Sequence, residues 1–325
     1  MTRLLSTSQL NQLAHIREQE VMKLMESLIN ISREGEVYDL KPLLTALTNN
    51  IVCRMGMSIR CSENADEAKE VIKDLADEVS ELGGKLTVEK FDRKMERIIK
   101  EHEKKKDMKG NVEGQGSNDL MDILLEISRD SNAEMKSTTK EIKAFFLYYK
   151  DHGWHHTSSL GVVWALAEVI NNPRIFKRLR EEINSVVVSN RLVKESDIPH
   201  LPYLRAVVKE RLRLHPPGPA VLLRQCIEDC NINGFDLKGK TRILINVYTI
   251  MRDPSKWTDP DEFIPERFMG NSPSQNQMQM KGLDFGYLPF GSGRRGCIGA
   301  SLASMVAHAT IRGLVQCFES GSRGW

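Results

Sequence analysis

The chain has 325 residues, 40% of them hydrophobic, so it is long enough to bury a sizeable core. Its 46 lysines and arginines nearly balance 44 aspartates and glutamates, which leaves a net charge of +2 at pH 7. This balance excludes the strongly basic footprint of a nucleic-acid-binding domain, so we expect no nucleic-acid partner. No apolar run approaches the roughly 20 residues that a membrane span needs, and the sequence by itself predicts a soluble chain.

Apolar residues at helical spacing predict helices through most of the first half of the chain. These predicted helices cover Gln9–Ile31, Val37–Met57, Asp66–Leu82, Phe91–Ile99 and Asp119–Ile127. Between the last two lies a glycine-rich, polar stretch from Asp107 to Asn118, which predicts an exposed loop.

The second half opens with a capping box, in which Thr138 takes the N-cap position and Glu141 lies three residues later. This box begins the longest predicted helix, which continues towards Ile170 and stops before Asn172-Pro173. Further helices are predicted over Arg174–Val188 and Pro199–Leu214, a hairpin turn at Asn233-Gly234 and a strand over Arg242–Tyr248. We therefore predict a mostly α fold, of the α+β type, with small β-sheets.

The six cysteines form no C-x-x-C pair, which argues against zinc ribbons and redox dithiols. Cys226 and Cys230 are four residues apart and could pair only if the fold happened to bring them together. We expect every cysteine except Cys297 to be a buried thiol in a reducing compartment.

Cys297 stands apart because of the glycine-rich loop around it. The segment Phe290–Gly299 reads FGSGRRGCIG and is followed by an apolar helical run, Ala300–Val315. Backbone N–H groups and the dipole at the start of that helix favour a thiolate, and Arg294 and the next arginine add positive charge. Such a thiolate is a good soft ligand for iron. For a lone cysteine, the alternative is a buried free thiol in a glycine turn.

The spacing within the loop decides between these readings. Phe290, Gly293, Arg295, Cys297 and Gly299 fit the pattern F-x-x-G-x-R-x-C-x-G, so the loop resembles the haem-ligand loop of the cytochrome P450 family. The resemblance implies that Cys297 is the axial iron ligand of a haem b and that Arg295 pairs with a haem propionate.

The same resemblance assigns Phe290, Gly291 and Gly299 to haem binding. Ile298 departs from it, because plant members usually have proline at that position. Arg224, in Leu222-Leu223-Arg224-Gln225, matches a family arginine that contacts a propionate.

Two further segments resemble family motifs. Glu210 and Arg213, three apart on a predicted helix, match the E-x-x-R pair, and the run Pro265–Phe268 matches the P-E-R-F segment. The resemblance implies one hydrogen-bonded triad of Glu210, Arg213 and Arg267, which is structural rather than catalytic.

The resemblance covers nearly the whole chain and is closest to plant microsomal members that act on flavonoids and isoflavonoids. It implies one cytochrome P450 domain over residues 1–325, incomplete at both termini. The implied activity is a monooxygenation, in which one atom of dioxygen enters a small apolar substrate, and the resemblance to that branch implies a substrate of the flavonoid type. Electrons would come from NADPH through a flavoprotein reductase. Full-length relatives are expected to be anchored in the endoplasmic reticulum membrane, whereas this chain shows no anchor and is expected to be soluble or peripheral.

The central helix departs from the family where oxygen chemistry occurs. Thr157 takes the position of the family's threonine, His156 that of its acid and Trp154 that of a glycine. The resemblance therefore assigns catalytic roles to Thr157 and His156, while Trp154 crowds the space over the iron. A weaker alternative is a zinc protein built on His152, His155 and His156.

The chain also begins late, carries a short insert between Val88 and Met95, and ends soon after Phe318. We expect a fragment, a variant transcript or a decayed copy, with impaired monooxygenase activity. The alternative is a catalytically silent haem-binding chain or a non-enzymatic remnant.

Overall fold

The structure is a computed structural model that describes residues 5–35, 38–61, 84–108, 119–130, 138–151, 154–187, 191–270 and 285–319. At 84–91, 105–108, 147–151 and 154–156 it describes the backbone alone. The chain divides into two compact units, Met1–Ser159 and Leu160–Trp325. The described part is mostly helical, with two small antiparallel sheets, which confirms the predicted fold class.

The first unit is helical throughout its described part. Its helices are α1 (Thr7–Gln12), α2 (Ala14–Glu34), α3 (Leu40–Met57), α4 (Gly84–Met108), α5 (Leu120–Arg129), α6 (Thr139–Asp151) and the first residues of α7 (Trp154–Asn171). The predicted capping box is present, because the backbone N–H of Thr138 donates to Glu141 at 2.7 Å and the backbone N–H of Glu141 donates to Thr138 Oγ1 at 3.3 Å. The helix predicted over residues 66–82 lies outside the described residues.

Helices α2 and α3 pack together and bury charged groups beside their apolar faces. Glu20 has a side chain only 2% exposed and accepts hydrogen bonds from Arg54 at 2.5 Å and Arg60 at 2.8 Å. Burial acts to raise the pKa of Glu20, but these two arginines outweigh it and the pKa is lowered. The carboxylate is therefore kept charged between the two helices.

The prediction that every cysteine except Cys297 is a buried thiol is wrong, because Cys226 and Cys317 are only half-buried and the other three cysteines depart from it further. Cys53 and Cys61 are joined by a disulfide, and Cys230 is a free but exposed thiol. The disulfide escaped prediction because sequence spacing cannot show that the end of α3 brings residue 61 back towards residue 53; their Cα atoms are 6.5 Å apart.

The second unit holds the rest of α7, followed by helices and short strands. In order these are α8 (Pro173–Val186), a 3-10 turn (Glu195–His200), α9 (Pro202–Leu214), β1 (Ala220–Gln225), β2 (Cys230–Ile232), β3 (Phe235–Leu237), β4 (Arg242–Asn246), α10 (Val247–Ile250), 3-10 turns at Pro265–Phe268 and Gly293–Arg295, and α11 (Ala300–Cys317). The predicted strand over residues 242–248 is thus two residues too long, because the chain turns into α10 at Val247.

The strands form two antiparallel pairs. β1 pairs with β4, with Ala220 opposite Asn246 and Gln225 opposite Arg242. β2 and β3 form a hairpin, and its turn carries the predicted Asn233-Gly234 pair, with φ of 50° and 87°. Positive φ at both positions is what a two-residue hairpin turn of this kind requires.

Helix α9 is the most buried element of the second unit and begins at a carboxylate cap. Glu182 accepts the backbone N–H groups of Tyr203 at 2.6 Å and Leu204 at 2.9 Å. These two N–H groups lie in the first turn, where a helix has no internal acceptors for them. The cap fixes the start of α9. Glu210 and Arg213 lie about two and about three turns further along this helix.

Candidate functional site

The loop before α11, which carries Cys297, is closed by backbone hydrogen bonds. Cys297 N–H donates to the Phe290 carbonyl at 2.9 Å, and Gly296 N–H donates to the Gly293 carbonyl at 3.0 Å. Gly291 and Gly293 have φ of 68° and 72°, the left-handed region that favours glycine. The glycines of the motif are therefore needed for the backbone path that presents the sulfur.

The thiol of Cys297 is free and exposed, but it is not pre-ionised as the sequence suggested. Partial burial of the sulfur raises the pKa of Cys297, and a hydrogen bond from the Gly299 backbone N–H opposes this rise without overcoming it. The expected hydrogen bond at the helix start is thus present, while the expected net preference for thiolate is wrong, because burial raises the pKa of the thiol. The neighbouring Arg294 and Arg295 are exposed, so water screens their charges.

This arrangement fits an iron ligand. A free sulfur with an exposed face and one backbone N–H donor can bind a soft metal from the open side, and metal binding removes the thiol proton. Gly299 itself is buried and forms the N-cap of α11, so Cys297 lies just before a helix of 18 residues.

The other sequence-predicted haem contacts lie at separate points of the second unit. Arg295 is exposed at the end of a 3-10 turn, and Arg224 is half-buried on β1 opposite Ile243. Phe290 and Gly291 belong to the closed loop. The propionate and haem-packing roles of these residues remain predictions.

The predicted catalytic pair lies at the start of α7, in the first unit. Thr157 is exposed on the second turn of this helix. His156 and Trp154 are helical, but their side chains lie outside the described residues, as does His152 altogether. The catalytic roles of Thr157 and His156, the crowding by Trp154 and the alternative zinc site all remain predictions.

The triad expected from sequence is present in full. Arg213 donates from Nε and Nη2 to the two oxygens of Glu210, both at 2.8 Å, and Arg267 Nε lies 3.3 Å from Glu210 Oε1. The same oxygen accepts the backbone N–H of Ile264 at 2.9 Å. One buried carboxylate thus joins α9 to the segment that carries Pro265–Phe268.

Both arginines of the triad also bind backbone carbonyls of this segment. Arg213 donates to the carbonyls of Met251 at 2.9 Å, Pro260 at 2.6 Å and Glu262 at 3.0 Å. Arg267 donates to the carbonyls of Thr258 and Asp259. Because one guanidinium offers five N–H donors in a plane, it can hold an irregular segment that has few backbone partners of its own.

Two side-chain clusters were not found from sequence. Trp164 stacks on His215, with ring centroids 4.1 Å apart and an angle of 7°, and His215 Nε2 lies 2.6 Å from Glu168 Oε1. Near the triad, Arg178 binds Glu266 at 2.6 Å and covers the Tyr203 ring. The only sequence signal for the first cluster was the four-residue spacing of Trp164 and Glu168 on one helix face.

A group of potential metal ligands lies in the first unit. His102, Asp119 and Asp122 have ligand atoms within 4.8 Å of one another. However, Asp119 caps α5 and accepts from His102 Nε2 at 2.8 Å and Ser58 Oγ at 2.6 Å, and Asp122 completes the capping box. Helix capping and one ion pair explain this group.

A mostly helical fold, a glycine-rich loop that carries a free cysteine, and the Glu210–Arg213–Arg267 triad are together typical of the cytochrome P450 class. Residues 82–322 match the family model for cytochrome P450, and the chain belongs to the cytochrome P450 family.

The relatives are plant enzymes. The chain is 38% identical to 3,9-dihydroxypterocarpan 6A-monooxygenase of Glycine max and 40% identical to beta-amyrin 24-hydroxylase of the same species. Each comparison covers 98% of this chain and 66% of the relative, so the chain spans just under two thirds of their length. A zebra fish cytochrome P450 structure with abiraterone is 26% identical, with a TM-score of 0.76 over 97% of this chain and 72% of that one.

Proposed function

We propose that this chain is a haem-dependent monooxygenase, or the larger part of one, that inserts one atom of dioxygen into a small apolar substrate. The observation that supports this best is the free, exposed thiol of Cys297. It lies at the end of a loop that is closed by a hydrogen bond from the Cys297 N–H to the Phe290 carbonyl. Membership of the cytochrome P450 family supports the proposal that this thiol is the axial ligand.

The residues proposed to hold haem b are Cys297, Phe290, Gly291 and Gly299, with Arg295 and Arg224 as partners of the propionates. When bound, haem supplies the activation of dioxygen, for which a thiolate ligand donates electron density. The raised pKa of Cys297 means that ligation releases a proton, and the Gly299 N–H then stabilises the negative sulfur.

On the substrate side we propose that Thr157 and His156 carry protons. A threonine hydroxyl both donates and accepts, and a histidine changes charge near neutral pH, so together they could replace an acid–threonine pair. The Glu210–Arg213–Arg267 triad takes no part in this chemistry. Its role is to fix the chain from Met251 to Phe268 against α9.

The substrate is proposed to be an apolar molecule of the flavonoid type. The names of two relatives support an apolar ring compound, because one acts on 3,9-dihydroxypterocarpan and the other on beta-amyrin. The two relatives act on different substrates although their sequence identities to this chain are similar. The proposal of a flavonoid substrate therefore rests on the resemblance of the sequence to plant members that act on flavonoids and isoflavonoids.

The proposed partner is a flavoprotein reductase that passes electrons from NADPH. The proposed location is the endoplasmic reticulum membrane, as for full-length relatives. Among the described helices, none combines the length and the apolar content that a membrane crossing requires.

A second candidate is a chain that binds haem but turns over little or no substrate. It is favoured by Trp154 and His156, which stand at positions where the family has a glycine and an acid. Replacing Trp154 by glycine and His156 by aspartate tests how much these residues matter.

The ferrous carbon monoxide spectrum of the purified chain tests haem-thiolate binding. We expect the long-wavelength band of thiolate ligation, its loss in Cys297→Ser and its retention in the control Cys317→Ser, since Cys317 is a half-buried thiol at the far end of α11. A normal thiolate band in Cys297→Ser would exclude this ligand. Reductase-supported turnover of a flavonoid panel, with hydrogen peroxide release measured in parallel, then separates the working enzyme from the silent haem binder.

A further inference from the structure

Arg211 is a buried cation, and two of its three side-chain nitrogen atoms have no hydrogen-bond partner among the described residues. Arg211 is 4% exposed, and neither its Nε nor its Nη1 has a hydrogen-bond acceptor among the described residues. Burial lowers the pKa of Arg211 to about 10, so the guanidinium is still charged at neutral pH. A buried charge with unused donors is costly, because nothing replaces the water it has lost.

The guanidinium lies directly on the backbone of α7 at Gly161. A Cβ atom added to Gly161 would be 2.7 Å from Arg211 Nη1, 2.8 Å from Nη2 and 2.9 Å from Cζ. Glycine is unfavourable inside a helix. Here the guanidinium of Arg211 occupies the space that a side chain at position 161 would need. Two helices of the second unit therefore accommodate the buried guanidinium: α9 carries Arg211, and α7 leaves room for it at Gly161.

A second buried basic group, on α11, lies close enough to Arg211 for the charge of Arg211 to lower its pKa. His308 on α11 is 7% exposed, its Nε2 has no partner among the described residues and its Nδ1 lies 3.3 Å from Ser304 Oγ. Burial, followed by the charges of Arg205, Arg312 and Arg211, lowers the pKa of His308 to about 4. This histidine is therefore neutral at pH 7 and offers either a donor or an acceptor, according to its tautomer.

Among the described residues, the groups that shift the pKa of Arg211 include no carboxylate, whereas Asp197 interacts with Arg312 on α11. Glu210, the neighbour of Arg211 in sequence, is committed to Arg213 and Arg267. The Tyr287 phenol favours the charged form of Arg211, but its hydroxyl donates to the Lys209 carbonyl at 3.0 Å. A water molecule could accept the free N–H bonds but could not neutralise the charge, whereas a small anion does both.

We propose that Arg211 and His308 belong to a buried binding site for a small inorganic anion, of the size of chloride or bromide, formed where α9 packs beside Gly161 and α11. The anion accepts from Arg211 Nε and Nη1, and His308 contributes its Nε2 as the tautomer that donates. The site is independent of Cys297 and goes beyond the proposed monooxygenase function.

Thermal unfolding of the full chain tests the site with bromide as the probe. Gluconate, which is too large for the site, is exchanged for bromide at constant ionic strength. We expect a saturable rise in Tm for the unmodified chain, because a ligand that binds only the folded state stabilises it. The exposed control Arg174→Met is expected to show the same rise, and Arg211→Met is expected to show none.

Two further measurements keep the test decisive if Arg211→Met folds poorly. Arg211→Lys retains the charge and should keep a weaker response, and crystals grown in bromide should show anomalous scattering within hydrogen-bonding distance of Arg211 Nε and Nη1. A Tm of the unmodified chain that does not depend on bromide, or an equal rise in Arg211→Met, would overturn the proposal. Since the readout needs neither haem nor turnover, its failure is distinct from failure of the monooxygenase proposal.

Discussion

Glu210 and Arg213 form a bidentate ion pair in which neither side chain has exposed surface. The pair is three residues apart on α9, and its remaining donors reach the carbonyls of Met251, Pro260 and Glu262. On a surface, an ion pair of this kind on one helix would contribute little to stability. Here it links α9 to a long irregular segment.

Removing one member of this pair should destabilise the chain strongly. Glu210→Ala leaves Arg213 buried and without its carboxylate, and we expect a loss of about 3–5 kcal/mol in the free energy of unfolding. The matched control is Glu266→Ala, whose carboxylate is half-exposed in its pair with Arg178 and should cost no more than about 1 kcal/mol. Urea unfolding measures both. Similar small losses in the two variants would show that the triad is not structural.

The stability of the first unit should fall as pH rises above the pKa of His102. The hydrogen bond that His102 donates to the Asp119 carboxylate raises the pKa of His102 above 6.5, and burial opposes this rise. A group whose pKa is raised on folding stabilises the fold fully below its unfolded pKa, near 6.5, and this contribution is lost as pH rises through the folded value. Tm measured from pH 6 to 9 in the unmodified chain and in His102→Gln checks this. Parallel curves for the two proteins would contradict the assignment.

Gly161 and Arg211 should show a strong coupling in a double-mutant cycle. Gly161→Ala alone should destabilise the chain, because the new Cβ meets the buried guanidinium at 2.7 Å. In Arg211→Met the guanidinium is absent, and alanine, the better helix former, should then be neutral or stabilising. We expect an interaction energy of roughly 1 kcal/mol or more from chemical unfolding. Additive effects would mean that the guanidinium moves aside at no cost.

The Cys53–Cys61 disulfide should stabilise the oxidised chain. It closes a short loop with a sequence separation of 8, for which loop-closure entropy predicts about 2–3 kcal/mol. Unfolding with and without a phosphine reductant measures this directly, and the variant with alanine at both positions should be insensitive to reductant. The control with alanine at Cys226 and Cys230, which are free thiols, should keep the full reductant effect.

The sequence by itself determined the local features of this protein. The glycines around Cys297 predicted the loop because positive φ is a property of single residues, and the Thr138–Glu141 box and the Asn233-Gly234 turn were predicted for similar reasons. The spacing of Glu210 and Arg213 placed them on one helix face. Their pairing with Arg267 came from the resemblance to a family, since no local pattern connects residues more than fifty positions apart.

Only the tertiary structure decided which polar groups are buried and what they meet. Arg211 and Arg174 are both arginines on amphipathic helices, yet Arg211 lies against Gly161 with Nε and Nη1 unpaired among the described residues, whereas Arg174 faces water. The pKa of Cys297 likewise depends on both local and tertiary structure. Desolvation by the surrounding chain raises this pKa, whereas the hydrogen bond at the helix start lowers it. Periodicity specifies the direction of a side chain from its own helix, whereas desolvation depends on every segment that packs over it, and those segments are distant in sequence.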